Sequence, residues 1–382
     1  MVAYIIVGLC YIFLCLKCIA TGLLYLFFGF NYTLEAQKYI TEANYYISHH
    51  SFSAGRYLFY STTILLIAGC KVLGINLAFA IVALLAFNLY CYVKVYKALI
   101  YYTQSSLFAV VFCISLVSFS PFQSWTMYLY TENIFYSLLL LLFAHLLSYK
   151  SFTAKYISQL TAIVIVILFS RPLGILLLLP LLLFLWLRAT KLQRVGLGIA
   201  SIVGILFFYT VSQVVLTTTN DWTVQRSFIE ENLICDIPTN VENKNLDTIA
   251  VSSQLKVLAY YITHNFTHFT GLAAQRLYLF FVPIRTYYST LHNAILLTII
   301  LPLYVLLIYG VRLWYRQLHV SMVVFIISSI LLFAASVAMQ CDDYHNRFFL
   351  CLFPFLLFLV LLVLRKMYRS GINYKKRIIK IF

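Results

Sequence analysis

The sequence predicts an all-α polytopic membrane protein with a bundle of about ten transmembrane helices. Three observations carry this reading. Of the 382 residues, 63% are hydrophobic and only 10% are charged, against about 25% charged in soluble domains. The apolar runs are continuous rather than alternating, which favours helices over a β-barrel. They also approach, again and again, the roughly 20 residues needed to cross a bilayer. Such a composition excludes a water-soluble enzyme. The net charge of +16 reads as basic loops held in the cytoplasm rather than as a nucleic-acid surface.

The first run, Val2–Phe28, exceeds the apolar core of a signal peptide, and no small-residue cleavage site follows it. It is therefore read as a retained first helix. Further runs at 76–96, 105–123, 133–149, 156–170, 172–188, 195–217, 291–313, 319–340 and 348–364 bring the total to ten. The run 57–73 is an eleventh candidate, and charge decides its status. With a cytoplasmic N-terminus and 57–73 not crossing, one side carries Lys94, Lys97, Lys150, Lys155, Arg188, Lys191, Arg194, Arg312, Arg316 and the basic tail 365–382. That is 16 of the 27 basic residues and no acid, while all 11 acids fall on the opposite side. A crossing at 57–73 would invert part of this order against the positive-inside bias. The segment is therefore read as juxtamembrane or shallowly re-entrant. Residues 1–364 then form one transmembrane domain with both termini cytoplasmic, and a bacterial inner membrane is the expected location.

Four polar pieces lie on the outer side: 29–75, the turn Tyr128–Asn133, the long segment 218–290, and CDDYHNR at 341–347. Seven of the nine cysteines sit in apolar runs. Cys235 and Cys341 fall in polar segments, where a disulfide between them is one reading.

The carboxylates concentrate attention on this outer side. In FNYTLEAQKYITEANYY, residues 30–46, Ala36, Ile40, Ala43 and Ile47 recur at helical spacing. They describe an amphipathic helix lying on the membrane. Glu35, Tyr39, Glu42 and Tyr46 fall on its flank, where a carboxylate can act as general base or be merely solvated. Glu132 opens an apolar helix, a position that the helix dipole favours by itself. Arg171, in LFSRPLG, is flanked by apolar runs and suits either a phosphate ligand or a structural ion pair. Arg347 precedes the last apolar run. Asp342, Asp343 and His345 beside it crowd onto one turn, which is poor geometry for a metal. His264 and His268 have i,i+4 spacing but no evident third ligand. The region 252–292, with Lys256, Arg276 and Arg285 among many aromatics, reads as interfacial pieces that can roof a lipid-facing cavity.

The order of these motifs resembles a family. Glu35–Tyr39 is followed by R-Y-x-x-Y (Arg56, Tyr57, Tyr60), a short apolar run ending Leu73–Gly74, TEN at 131–133, SRPLG at 170–174 and NRFFLCLFP at 346–354. This is similar to the GT-C membrane glycosyltransferases, in particular the protein O-mannosyltransferases and lipid A aminoarabinose transferases. The resemblance implies a GT-C-like bundle with juxtamembrane helices in the first outer loop, 29–75. It implies a polyprenyl-phosphate sugar donor and a lipid, glycan or protein acceptor at the outer face. Glu35 matches the catalytic acid, usually Asp, and Glu132 the second acidic position. Arg56, Arg171 and Arg347 match donor phosphate-binding positions. Tyr39, Glu42, Tyr57, Tyr60, Lys256 and Arg276 are supporting candidates. No cofactor is required, a divalent metal is unsupported, and membrane lipids rather than nucleic acid are the expected surroundings. The competing readings are an envelope-glycan polymerase or ligase, a glycolipid transporter or flippase, and an inactive member of the family.

The charge argument predicts the outcome of impermeant cysteine labelling. A single cysteine at position 71 should label from outside and one at position 97 only from inside; the reverse pattern would overturn the topology.

Overall fold

The computed structural model describes residues 2–217, 228–235, 237, 246, 247, 249, 254–341 and 344–379. All regular elements among them are helical. In chain order they are α1 (Val2–Phe28), α2 (Glu35–His49), α3 (Ser61–Val72), α4 (Ala78–Thr103), α5 (Ser106–Ser118), α6 (Ser120–Gln123), α7 (Thr131–Leu147) and α8 (Ala154–Leu168). They continue with α9 (Leu178–Arg188), α10 (Lys191–Thr217), α11 (Gln254–His264), α12 (Phe266–Phe281), α13 (Thr290–Gln317), α14 (Val320–Met339) and α15 (Arg347–Ile379).

Among the described residues, α4, α13, α14 and the Arg347–Arg369 part of α15 are long and apolar enough to cross a membrane. A fifth span results if α5 and Ser120–Met127, which meet at a 74° bend, are taken together. The apolar helices α7 and α8 and the stretch Pro172–Arg188 are shorter, at 10–17 residues. The chain is thus an integral membrane protein whose described residues are all-α and hold four to five candidate spans. The run 105–123 is broken by the 74° bend after α5, while the runs 133–149, 156–170 and 172–188 form helices as short as the runs themselves. Ser105, Thr153 and Ser289 accept from the backbone N–H of Phe108, Tyr156 and His292 at 3.3, 3.1 and 3.2 Å, contacts worth about 1 kcal/mol each. Pro172 starts a 3₁₀ turn through Leu177 before α9 begins.

The first outer loop folds as two short helices. At 12 residues, α3 rises only about 18 Å, against a hydrocarbon core of about 30 Å. Helix α2 packs on α3, and its buried face is Ala36, Tyr39, Glu42 and Ala43. The apolar stripe read from the sequence is therefore rotated by about one position. Tyr39 and Glu42 point into protein, and Ile40 and Ile47 are only half-buried.

Contacts separate the charges between the two ends of the bundle. At one end, Arg365 Nη2 donates to Thr103 O at 2.6 Å, Lys150 lies over Tyr101, and Arg188 Nε donates to Ser321 Oγ at 2.7 Å. At the other end, the start of α7, the residues after α8 and the start of α15 converge on Glu35. Between these ends, Lys17 of α1 is buried, donates to Gln123 Oε1 and lies over the ring of Tyr92. Gln123 in turn donates to Leu116 O at 3.0 Å, so one buried polar cluster holds α1 against the 74° bend.

Gly174 shows why SRPLG needs its last residue. A Cβ there would stand 2.7 Å from Ile167 O and 2.8 Å from Ile167 Cγ2, so only glycine lets the chain fold back on the end of α8. Gly174→Ala is expected to cost about 1–3 kcal/mol, seen as a lower melting temperature of the purified protein. An unchanged Tm would contradict this close approach.

Candidate functional site

Four segments far apart in sequence are stitched together at the acidic end. Asn31 N donates to Met127 O at 3.0 Å and Leu129 N to Asn31 O at 3.1 Å, a parallel bridge between the first outer loop and the turn before α7. Tyr130 OH adds a bond to Thr33 O at 3.2 Å. Thr62 N, at the start of α3, donates to Phe169 O at 3.0 Å, two residues before Arg171. Tyr136 OH of α7 donates to Arg347 O at 2.9 Å. Each bond satisfies a backbone group that would otherwise be stranded near the bilayer, where no water replaces it.

This stitching brings Glu35, Glu132, Arg171 and Arg347 into one cluster. Arg347 Nη1 donates to Glu35 Oε2 and, at 2.7 Å, to Glu132 Oε1. Arg171 Nη1 donates to the same Glu132 oxygen. Tyr39 OH donates to Glu35 Oε1 at 2.8 Å. Two carboxylates and two guanidinium groups balance, as groups this deep require. The members are not equally accessible. The Glu132 side chain is 0% exposed and that of Glu35 is 23% exposed. Glu132 is locked between two arginines, so Glu35 is the carboxylate that a second molecule can reach. Burial and the neighbouring Glu35 carboxylate raise the Tyr39 phenol well above its usual range, so it stays a donor to Glu35.

The chain immediately before two of these residues is strained. Leu34 precedes Glu35 with φ 54°, and His345 and Asn346 precede Arg347 with φ 59° and 58°. Left-handed backbone at residues with a Cβ costs on the order of 1–3 kcal/mol and tends to occur where surrounding structure dictates a functional geometry.

Other sequence candidates lie elsewhere. Arg56 is exposed and stacks on Tyr57 at 5.2 Å, outside the charge cluster in its described contacts. Tyr60 packs its ring 5.6 Å from Tyr39. Glu42 is neither solvated nor aimed at the cluster. It is buried and accepts from Ser53 N at 2.7 Å and Ser53 Oγ at 2.5 Å, which fastens the loop after α2. Lys256 is exposed on α11. Arg276 is fully buried under a different part of the acidic end, donating to Asn232 O at 2.9 Å and Ala338 O at 3.3 Å. These carbonyls flank a Cys235–Cys341 disulfide, so Arg276 and the disulfide clamp the same junction. Asp342 and Asp343 lie outside the described residues. Among the described residues no group of three metal-ligating side chains occurs. His268 instead bonds Glu231 at 3.0 Å and Tyr261, while His264 stacks on Tyr260.

Sequence reasoning missed Trp125, whose ring lies 5.4 Å from the Arg347 guanidinium. Cation–π contact of this kind contributes about 0.5–2 kcal/mol. The aromatic density of SWTMYLY, residues 124–130, was the available signal.

Unequal burial makes the two carboxylates separable by stability. Glu132→Gln removes the fully buried carboxylate that Arg171 and Arg347 share and should cost about 3–5 kcal/mol. Glu35→Gln, at a partly exposed position, should cost about 1 kcal/mol or less. Thermal unfolding of the purified variants checks this, and equal losses would contradict the assignment. Comparison of the chain with protein-family models, with curated proteins and with solved structures finds no match.

Proposed function

We propose that this protein is a GT-C-type glycosyltransferase. It moves a sugar from a polyprenyl-phosphate donor to an acceptor at the outer face of a bacterial inner membrane, within a bundle of about ten transmembrane helices. The observation that carries this reading is the partly exposed Glu35 beside two guanidinium groups, Arg347 and Arg171. A glycosyl phosphate already has a good leaving group, so the protein needs only two things. Cations must hold the phosphate and stabilise the charge that grows on it as the glycosidic bond breaks. A carboxylate must take the proton of the attacking hydroxyl.

Glu35 is the base in this scheme, with Tyr39 orienting it. Arg347 and Arg171 receive the phosphate. Glu132 takes the role of counter-ion that fixes both arginines, rather than that of a second acid or base. The products are a glycosylated acceptor, a protonated Glu35 and a polyprenyl phosphate. The disulfide near Arg276 supports assigning the acidic end to the outer, oxidising side, in agreement with the basic opposite end. Lys17, buried in α1, is the one feature that favours a transporter. Its bonds to Gln123 and through it to Leu116 give it a structural task at the bend.

The test supplies purified protein with polyprenyl-phosphate sugars and a membrane lipid extract. The wild type should form a glycosylated product, and Glu35→Gln should lower kcat by about 10²–10⁴-fold while keeping its Tm. If the wild type transfers no sugar to any lipid or protein, the enzyme reading fails. If Glu35→Gln remains fully active, the base is another group.

A further inference from the structure

A cavity of about 480 Å³ lies beside the charge cluster, between the α5–α6 bend, the first half of α13 and the turn into α15. Its walls change character with depth. Around its outer part stand Trp125, Tyr128, Tyr288, His292, His345 and Asn346. One to two turns beyond His292 along α13 the lining becomes Ile295, Ile299 and Ile300, facing Phe119 and Leu350. Ser118, Phe119 and Ile299 also line a second groove, which continues past Pro302 and Leu306 to Leu357 and Val360 of α15. Leu291, Ile295 and Ile299 are exposed on a helix long and apolar enough to span, so this seam is open to lipid.

Among the described residues, no lysine, arginine, aspartate or glutamate lines the cavity. Its hydrogen-bonding groups include tyrosine, histidine, asparagine and serine side chains. Tyr288 OH bonds His345 Nδ1 at 3.0 Å, and the Tyr288 ring stacks on His292 and His345 with centroids 4.1 and 5.6 Å away. Burial and the nearby Arg347 lower the His345 pKa to about 4, so its ring is uncharged at neutral pH. Asn346 is buried, and its Nδ2 donates to Pro283 O at 3.0 Å. Its Oδ1 is buried with no hydrogen-bond partner among the described residues, a deficit that costs about 1–3 kcal/mol.

Flat aromatic faces and walls that carry hydroxyls but no lysine, arginine or carboxylate, above an apolar seam, define one ligand chemistry. We infer that this cavity binds a lipid with an uncharged, hydroxylated head, such as a glycosyl group, whose tail runs down the α5–α13 seam. The apolar face of a sugar ring suits Trp125 and Tyr288, and its hydroxyls can bond the exposed Ser118 and Ser120 side chains that also line the cavity. Among the described residues, no lysine or arginine on these walls would meet an anionic head. Trp125 belongs both to this cavity and to the contact with Arg347, so the head sits next to the charge cluster. That such a lipid is the acceptor, and not merely bound, rests on the transferase reading.

The test measures binding, not turnover. Full-length protein in nanodiscs is titrated with monoglucosyl diacylglycerol or with phosphatidylglycerol of the same chains, with bound lipid counted by native mass spectrometry. The glucolipid should bind at least tenfold more tightly than the phosphatidylglycerol. Ile299→Trp, which fills the seam from a partly exposed position, should weaken it at least fivefold. Equal or tighter binding of an anionic lipid, or full glucolipid binding by Ile299→Trp, would overturn the inference. Specific glucolipid binding without sugar transfer would instead remove only the acceptor role and the transferase reading.

Discussion

Four charges that only balance together govern the acidic end of this protein. Glu132 is fully buried, and a buried carboxylate is tolerable only with cations at hydrogen-bonding distance. Arg171 and Arg347 meet that need from two different parts of the chain. Their combined charge then calls for a second carboxylate, and Glu35 provides it from a third part. The first outer loop, α7, the SRPLG turn and α15 must therefore meet at one point, and the remaining outer structure follows from that meeting.

Backbone bonds serve the same end. The bridge between Asn31 and residues 127–129, the bond from Thr62 to Phe169, and Tyr136 on Arg347 O each join two of the four segments within a few residues of a charged member. The left-handed residues Leu34, His345 and Asn346 are the local cost of turning the chain sharply into Glu35 and Arg347. On the reading proposed here, a site held this way is preorganised. The guanidinium groups need little rearrangement to receive a phosphate, and the reachable carboxylate stands beside them.

Much of the site was legible in the sequence, because charges in an apolar chain are rare and each must have a reason. Glu35, Glu132, Arg171 and Arg347 all stood out singly, and the four-residue step to Tyr39 correctly joined Tyr39 to Glu35. Their mutual pairing was not legible, since the separations reach 312 residues and no local pattern records such a contact. Glu42 was misread for a related reason: helical spacing gives the face of α2 but not the return of Ser53 over it. Hydropathy located the apolar helices well. It could not say that the run 105–123 bends by 74° after α5, because a continuous apolar run carries no signal for the break.

The central claim is that Glu132 and Arg347 share one buried charge cluster. A double-mutant cycle on the unfolding of purified protein, with Glu132→Gln, Arg347→Gln and the pair, measures this directly. The account predicts strong coupling of about 2–3 kcal/mol, the double variant losing far less than the sum of the single losses. Additive losses would mean that the two side chains do not meet, and would contradict the account.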